Sequence, residues 1–569
     1  MTSIVPDTAL IITTRAHSLK GCSILGNGGW LPPEEREELD WMTFIKFMGW
    51  RPELIGPDDY VSLLIDQLNV KWIILTGDPD HVNSTTLKTI LSDVAKNPLL
   101  LISQGGIKQG NLAKDVGIHI SKKASSGSVI KVKGLGFLSR LKCRNNIALP
   151  ALEVDLNSVV LASLAGKVLI AAKKLGIGKI VVLSFHPSIA RDIDGFFTVL
   201  LKNLLIYQSS SPVAWIRWEN TVILRMDDPG SSEPIYNSVY GNGKLCELKW
   251  EQIGKELTKR NGRMTLGYVS GWVDDGNADK SILEVCNTPT IRVKGKVYPS
   301  QSIKYSRQEE DGSYKIYDYQ AEFSGIQKLV DKNIIDIAVH GHTHIHPNIN
   351  AWLEAADRYS NNSWFREFSR SAEEFLKDNN DREHPFWQGL KKVFDCFKEY
   401  PTTLISPGEE FTDIVILKAR EAKLKIISSY YLAININNQF CWVQHVCAPY
   451  LNEADSNWLT SELPVVGYFH DFDLSINGME WFAHCLDKWE VAGAKKFINF
   501  KEVASLLDVY ISMQEADDMA CINIIKDEYK DGNPVPIGVF VPNKNKTFEV
   551  AIPPNEGLNF KIELNNTNR

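Results

Sequence analysis

Four of the chain's 12 histidines, His340, His342, His344 and His346, fall within seven residues of the stretch DIAVHGHTHIHPN. Imidazoles four residues apart at a strand-to-loop junction can converge on one cation, which leaves two candidate pairs: His340 with His344, and His342 with His346. An aspartate completes a two-histidine, one-carboxylate set with positions open for water and substrate. Asp227 and Asp228 end the run NTVILRMDD. Side chains alternate along a strand, so these neighbouring carboxylates point different ways and can take separate tasks. Paired aspartates also cap turns and helices; the histidine cluster is what marks this pair out. The chemistry such a set serves is metal-assisted hydrolysis, in which a divalent ion lowers the pKa of water toward about 7 and polarises an acyl oxygen.

These residues need a scaffold that gathers strand ends. The runs NTVILRMDD, RMTLGYVS, DIAVHGH, TTLISP, LKIISSYY and LPVVGYFHDF alternate with helical patterns such as FSGIQKLVDKN and FTDIVILKAREAK. That alternation predicts a (β/α) barrel or open α/β unit of roughly 300 residues, with chemistry at the carboxyl ends of its strands. Upstream, ALIITT, VKWIILTG, NPLLLISQGG and GKIVVLSF alternate with stretches such as TTLKTILSDVAK, predicting a parallel, flavodoxin-like α/β layer. The linker YQSSSPVAW has the composition of a boundary. After about Asp508, VPIGVFVP and KTFEVAIPP predict a small β appendage. A chain of 569 residues is too long for one core, and these signals divide it at 1–210, 211–508 and 509–569.

Composition narrows the partners. A net charge of −7 and a pI near 6.0 argue against nucleic acid or an anionic membrane as the main partner. No apolar run reaches the roughly 20 residues of a membrane span, and no secretory leader is visible, so a cytoplasmic location is expected. The nine cysteines form no C-x-x-C pair, which fits reduced thiols. Oligomeric state is left open.

The central region resembles the polysaccharide deacetylases of carbohydrate esterase family four, over roughly residues 215 to 505. The strand ending in two aspartates is matched by LRMDDPG, the His-Ser/Thr-x-x-His element by the histidine cluster, the Pro-Gly element by ISPGEEFTDIVILKAREAKLKIISS, and the last strand, ending in a histidine, by VVGYFHDF. The resemblance implies a deacetylase-type barrel. It makes Asp227 the general base, Asp228 a metal ligand and His470 the general acid. Strand phase through DIAV favours His340 and His344 as the remaining ligands, an HGHTH form similar to that of an uncharacterised bacterial branch; alignment on His-Thr-x-x-His-Pro selects His342 and His346. Family habit implies Zn2+, and the implied substrate is an N-acylated amino sugar or saccharide polymer. Asp471 or Asp473 is placed to hold the His470 imidazole charged. The sequence departs from the family in two ways. Asp227 and His340 are 113 residues apart, with an extra segment between them that is positioned to roof the site. Ile405 and Ser406 stand where an arginine usually precedes the proline of the third motif, and Arg225, on the same strand face as Asp227, is a substitute. Tyr298, Tyr305, Tyr314, Tyr317, Tyr319, Trp364 and Phe365 suit stacking on sugar rings, although core packing is the commoner fate of such residues.

The N-terminal stretch GKIVVLSFHPSIARDIDGFFTVLLKNLLIY is similar to the end of class I glutamine-amidotransferase-like domains. Ser103, Gln104 and Gly105 occupy the turn where those enzymes carry a cysteine, so a non-catalytic module is expected. Two other functions remain open. Gly341 to His344 (GHTH) and ILTGDPDH around Asp78 resemble two motifs of calcineurin-like metallophosphoesterases, whose Asp-x-His and Gly-Asn-His motifs are absent. The missing arginine also suits a saccharide-binding protein with weak catalysis.

Overall fold

The computed structural model describes residues 5–14, 33–61, 63–186, 196–236, 243–279, 281–349, 365–378, 383–516, 519–526, 534–552 and 560–563. The first apolar runs form β1 (Thr8–Thr13), β2 (Arg51–Ile55), β3 (Val70–Thr76) and β4 (Leu100–Gln104), followed by β5 (His119–Leu135), β6 (Leu138–Glu153), β7 (Val159–Leu164), β8 (Lys167–Leu175) and β9 (Gly178–Leu183). They make one sheet in the order β2-β1-β3-β4-β9-β8-β6-β5-β7. Strands β1 and β3 are buried at every position, as expected where a parallel sheet is covered on both faces.

The expected parallel layer is only the first five strands of that order. Strands β5 to β8 are antiparallel to their neighbours. The reason lies in the connections. Only Gly136 and Phe137 separate β5 from β6, and only Ala165 and Gly166 separate β7 from β8, whereas a parallel return needs a crossover of about a dozen residues or more.

Beyond β10 (Val213–Ile216), the central unit starts with β11 (Thr221–Asp227) and β12 (Met264–Tyr268). Short strands then follow, β13 (Gly271–Val273) and β14 (Ser281–Val285) leading into the extra segment and β15 (Thr288–Pro289), β16 (Val297–Pro299), β17 (Ile303–Gln308) and β18 (Tyr314–Asp318) lying within it. Next come β19 (Ile335–Val339), β20 (Thr403–Ile405), β21 (Ile426–Ser428), β22 (Tyr431–Ile436), β23 (Gln439–Cys447), β24 (Val465–His470) and β25 (Lys496–Ile498). The main sheet runs β23-β22-β21-β20-β19-β12-β11-β24, with β25 also on β11. It is parallel except at β22, which is antiparallel to both of its neighbours. No ladder joins β23 to β24 among the described residues; a single bridge, Tyr450 to Tyr468, spans that gap. The alternating α/β expectation is thus met by one mostly parallel sheet, whose described ladders do not close into a barrel.

The last strands are β26 (Val509–Ala516), β27 (Met519–Lys526), β28 (Val535–Val541), β29 (Lys546–Ile552) and β30 (Phe560–Glu563). β28 pairs with β10, and Ile511, Ile537 and Val539 share one core with Ala9, Trp72 and Ile223. Buried Lys71 ties the layers together. It donates to the carbonyls of Pro212 and Met513 and pairs with Asp7 at 2.9 Å.

One charged group in the sheet yields a stability prediction. Asp336 is buried opposite Thr265, whose hydroxyl donates to Oδ1 at 2.7 Å and accepts from the amide of Phe500. Burial pushes this carboxyl up to about 7, with Thr265 opposing. A raised acid favours the fold while protonated, so its contribution is full below the ordinary value of 3.8 and is lost as pH rises through 7. Asp336→Asn is therefore expected to raise Tm at pH 8, with the gain shrinking toward pH 4.5. Superimposable melts of parent and variant at both pH values would contradict the shift.

Candidate metal centre and active site

The candidate residues gather at the carboxyl ends of β11, β19 and β24, with β12 between the first two. Asp227 ends β11 and faces His470 on β24 in register; His340 directly follows β19. Asp228, His340 and His344 are buried, and one ligand atom from each lies within 4.8 Å of the others. His340 Nε2 is 3.1 Å from Asp228 Oδ1, and His344 Nε2 is 3.3 Å from the same oxygen. The other ring nitrogens face acceptors: His340 Nδ1 the carbonyl of Ile405 at 2.9 Å, and His344 Nδ1 the carboxylate of Glu233 at 3.1 Å. With each Nδ1 carrying the proton, both Nε2 lone pairs turn to one point beside a carboxylate. Outer acceptors of this kind fix the tautomers of ligating histidines. The donor set fits a divalent cation with positions left open.

The field at the site favours positive charge, so a bound cation would take the place of the second proton that His344 holds in the metal-free protein. Burial opposes ionisation of Asp228, but His344, His340 and His470 outweigh it and hold the carboxyl far below its usual range. His344 is pushed up to about 9, burial being overcome by Glu233 and Asp228. Backbone geometry adds a further sign. Asp228 and His344 have φ of 77° and 62°, a region that non-glycine residues occupy chiefly where surrounding structure imposes it, often at functional sites.

Asp227 is gripped by Arg225, as the residue pattern suggested. Nε donates to Oδ1 at 2.8 Å and Nη2 donates to Oδ2. The guanidinium is fully buried. It is shared with Glu409 at 2.6 Å and anchored on Ser428 Oγ and the Ser429 carbonyl. Arg225 is thus the guanidinium that faces Asp227 here, where Ile405 and Ser406 supply none. Burial raises Glu409, with Arg225 opposing and Asp227 adding to the rise.

His470 begins the helix Asp471–Asn477 and pairs through Nδ1 with Asp473 at 3.4 Å. Tyr450 Oη donates to Asp473 and lies 3.3 Å from the same ring nitrogen. Burial disfavours the imidazolium, yet Asp473, Asp228 and Asp227 together push His470 up to about 9. Of the two aspartates considered, Asp473 serves the ring. Asp471 pairs with buried Lys244, which also contacts Glu322 at 3.3 Å.

His342 and His346 are not in the group. His342 Nδ1 meets Ser270 Oγ at 3.1 Å, and burial lowers it to about 4. His346 Nδ1 accepts from the amide of Asn348. Asp78, the phosphoesterase candidate, lies beyond β3 in the N-terminal sheet, where it caps Pro79–His81. Tyr298, Tyr305, Tyr317 and Tyr319 are core residues of the inserted segment, which is tied to the site loop by the Gly271 amide on the His342 carbonyl. Phe365 stacks over His344 with centroids 6.2 Å apart. Tyr314 is half exposed, and Trp364 lies outside the described residues.

The sequence reading missed Glu367. Its buried carboxylate accepts from the amides of His342, Thr343 and His344 and from the Thr343 hydroxyl, at 2.8 to 3.1 Å. It shapes the loop that presents His344. Gly341, at φ 69°, is required there, since a Cβ would lie 2.0 Å from Glu367 Oε2. Glu233 and Glu409 were also missed. No spacing signal links any of these acids to the site.

Among the described residues no helix is long and apolar enough to cross a membrane, and none of the eight described cysteines is in a disulfide. No protein-family model matches the chain, and no curated protein does. Solved structures that it matches include a family-four carbohydrate-esterase pseudoenzyme from Bacillus anthracis, at 9% identity over 50% of this chain and 66% of that one, TM-score 0.25. A peptidoglycan N-acetylglucosamine deacetylase matches at 12% identity over 49% and 86%, TM-score 0.24. A cytoplasmic protein from Salmonella typhimurium LT2 matches at 11% identity over 36% and 99%, TM-score 0.26. With every one of these TM-scores below 0.5, the functional reading stands on the geometry of the site.

Proposed function

We propose that the protein is a metal-dependent hydrolase that removes an N-acyl group, acetyl by the family resemblance, from an amino sugar or saccharide polymer. The observation that carries this reading is the convergence of His340 Nε2 and His344 Nε2 on Asp228, with Asp227 beside them and His470 across the strand register. In this reading Asp228, His340 and His344 hold a divalent cation, for which two nitrogens and a carboxylate suit zinc and also cobalt, nickel, manganese or iron. When bound, that cation supplies Lewis-acid polarisation of the acyl oxygen and an acidified water. Asp227 takes the proton from the attacking water, and Arg225 keeps its carboxylate aligned. His470, held cationic by Asp473, gives its proton to the departing amine. Residues 211–508 carry the chemistry, and 1–210 and 509–569 support it through a shared core.

Acetate release from N-acetylglucosamine oligomers by zinc-reconstituted protein tests the proposal. Release is expected, and Asp227→Asn is expected to lower it about a hundredfold or more, the size of a general-base contribution. Bound metal without release favours a saccharide-binding protein of weak catalysis, and turnover of p-nitrophenyl phosphate in its place would sink the assignment.

A further inference from the structure

The loop that carries His344 is held from two sides by groups that touch none of the metal-binding atoms. On one side Gly389, in the helix Pro385–Phe397, lies against the Gly341 carbonyl with no room for a Cβ. On the other side is Glu367. The amides of His342, Thr343 and His344 all reach its Oε2, at 2.8, 3.3 and 3.1 Å, and the Thr343 hydroxyl donates to Oε1 at 3.0 Å. Those amides have no other acceptor among the described residues. Successive amides bounded by left-handed residues, here Gly341 and His344, form a concave nest for an anion. This nest is filled by the chain's own carboxylate.

The segment bearing Glu367 is itself fastened to the other half of the site. Arg366 Nη1 donates to Glu410 at 3.2 Å, and the Arg370 amide donates to the same carboxylate. Arg366 and Phe365 also press on Gly408, where a Cβ would meet the Arg366 stem at 2.5 Å and the Phe365 ring at 2.8 Å. Glu409, between Gly408 and Glu410, holds Arg225 and through it Asp227. Glu367 thus seats the metal-ligand loop on the loop that orients the base. His344 depends on that seat, since its φ of 62° is one that non-glycine residues keep chiefly where contacts impose it. Two influences of Glu367 are separable. As a charge, it adds to the field that favours the His344 imidazolium; as a shape, it needs only an acceptor oxygen in the nest.

We infer that Glu367 is a positioning residue that sets metal affinity by shape, filling the nest so that His344 Nε2 stays turned to Asp228. The inference rests on the metal centre proposed above. Zinc affinity of the full chain, read by competition with a chromophoric chelator, tests it alongside the melting temperature of the metal-free protein. Glu367→Met, which removes every acceptor, is expected to weaken zinc binding at least tenfold, the usual scale for an outer partner of a metal ligand. Glu367→Gln is expected to stay within about threefold of the parent, because one amide oxygen at the Oε2 place can take all three amides. Should Glu367→Met not fold, Thr343→Val, which removes only the hydroxyl on Oε1, decides in its stead and is expected to weaken zinc binding about threefold. A carboxylate that merely stabilised the fold would lower the melting temperature and leave the zinc affinity of the folded protein unchanged. Parental affinity in the deciding variant, or a tenfold loss in Glu367→Gln, would overturn the inference alone. A parent that binds no zinc would overturn the metal centre with it.

Discussion

Replacing Asp228 with asparagine is expected to abolish stoichiometric binding of a divalent metal and to reduce acetate release to the uncatalysed background. The substitution keeps the shape of the side chain and removes the charge on which both imidazoles converge. His344→Ala should have the same effect on metal, with an added cost to the fold: it leaves the buried carboxylates of Asp228 and Glu233 facing one another without the cation between them, and uncompensated buried charge is strongly destabilising. Asp228→Asn is the cleaner variant for that reason. His342→Gln and His346→Ala are the matching controls. They alter histidines that meet Ser270 and Asn348 outside the group, and metal content should be that of the parent. Metal analysis after dialysis reads the outcome directly. Loss of metal in either control, with retention in Asp228→Asn, would move the centre to the other histidine pair.

That choice between pairs shows what was legible in the sequence. The run DIAV has the continuous apolar character of a buried parallel strand, and it fixes His340 as the first residue beyond the strand end and His344 as one further turn of the loop. Asp227 and Asp228 were legible for the same reason, because NTVILRM is unmistakably a strand and its end is where an α/β unit presents chemistry. Arg225 follows from the period of two that places it on the same face as Asp227. The supporting acids were not legible. Glu233, Glu367 and Glu409 sit in segments where a glutamate ordinarily faces water, and only the fold reveals that Glu233 and Glu367 are buried, and Glu409 half-buried, against site residues. In the N-terminal sheet, β5 to β8 were absorbed into a parallel layer because short apolar runs look alike in either orientation; the two-residue connections settle it. The reversal of β22 escaped for the same reason, since LKIISSYY runs through the turn between β21 and β22 without a strong breaker.

The second large effect concerns His470 and carries a pH signature. A general acid contributes about a hundredfold to ten-thousandfold, so His470→Gln should slow acetate release by that order while metal content stays at the parental level. The parent should also lose rate on the alkaline side. His470 must be charged to donate, and in the metal-free protein Asp473, Asp228 and Asp227 raise it to about 9 against the penalty of burial. A raised imidazole stabilises the fold fully below its ordinary value of 6.5, and that contribution is lost as pH rises through 9. A cation on Asp228 cancels part of the field that holds the ring charged, so NMR titration of His470 should show a lower pKa in the loaded protein than in the metal-free one. Asp227 and Asp473 remain in support, and Asp473 is the one in contact with Nδ1 and the Tyr450 hydroxyl. Asp473→Asn is therefore expected to shift the alkaline limb of kcat/KM to lower pH, where a residue that merely capped the helix would lower the plateau or the stability and leave the limb in place. An unmoved limb in Asp473→Asn would remove Asp473 from the proton-donating assembly, and an unmoved rate in His470→Gln would remove His470 itself.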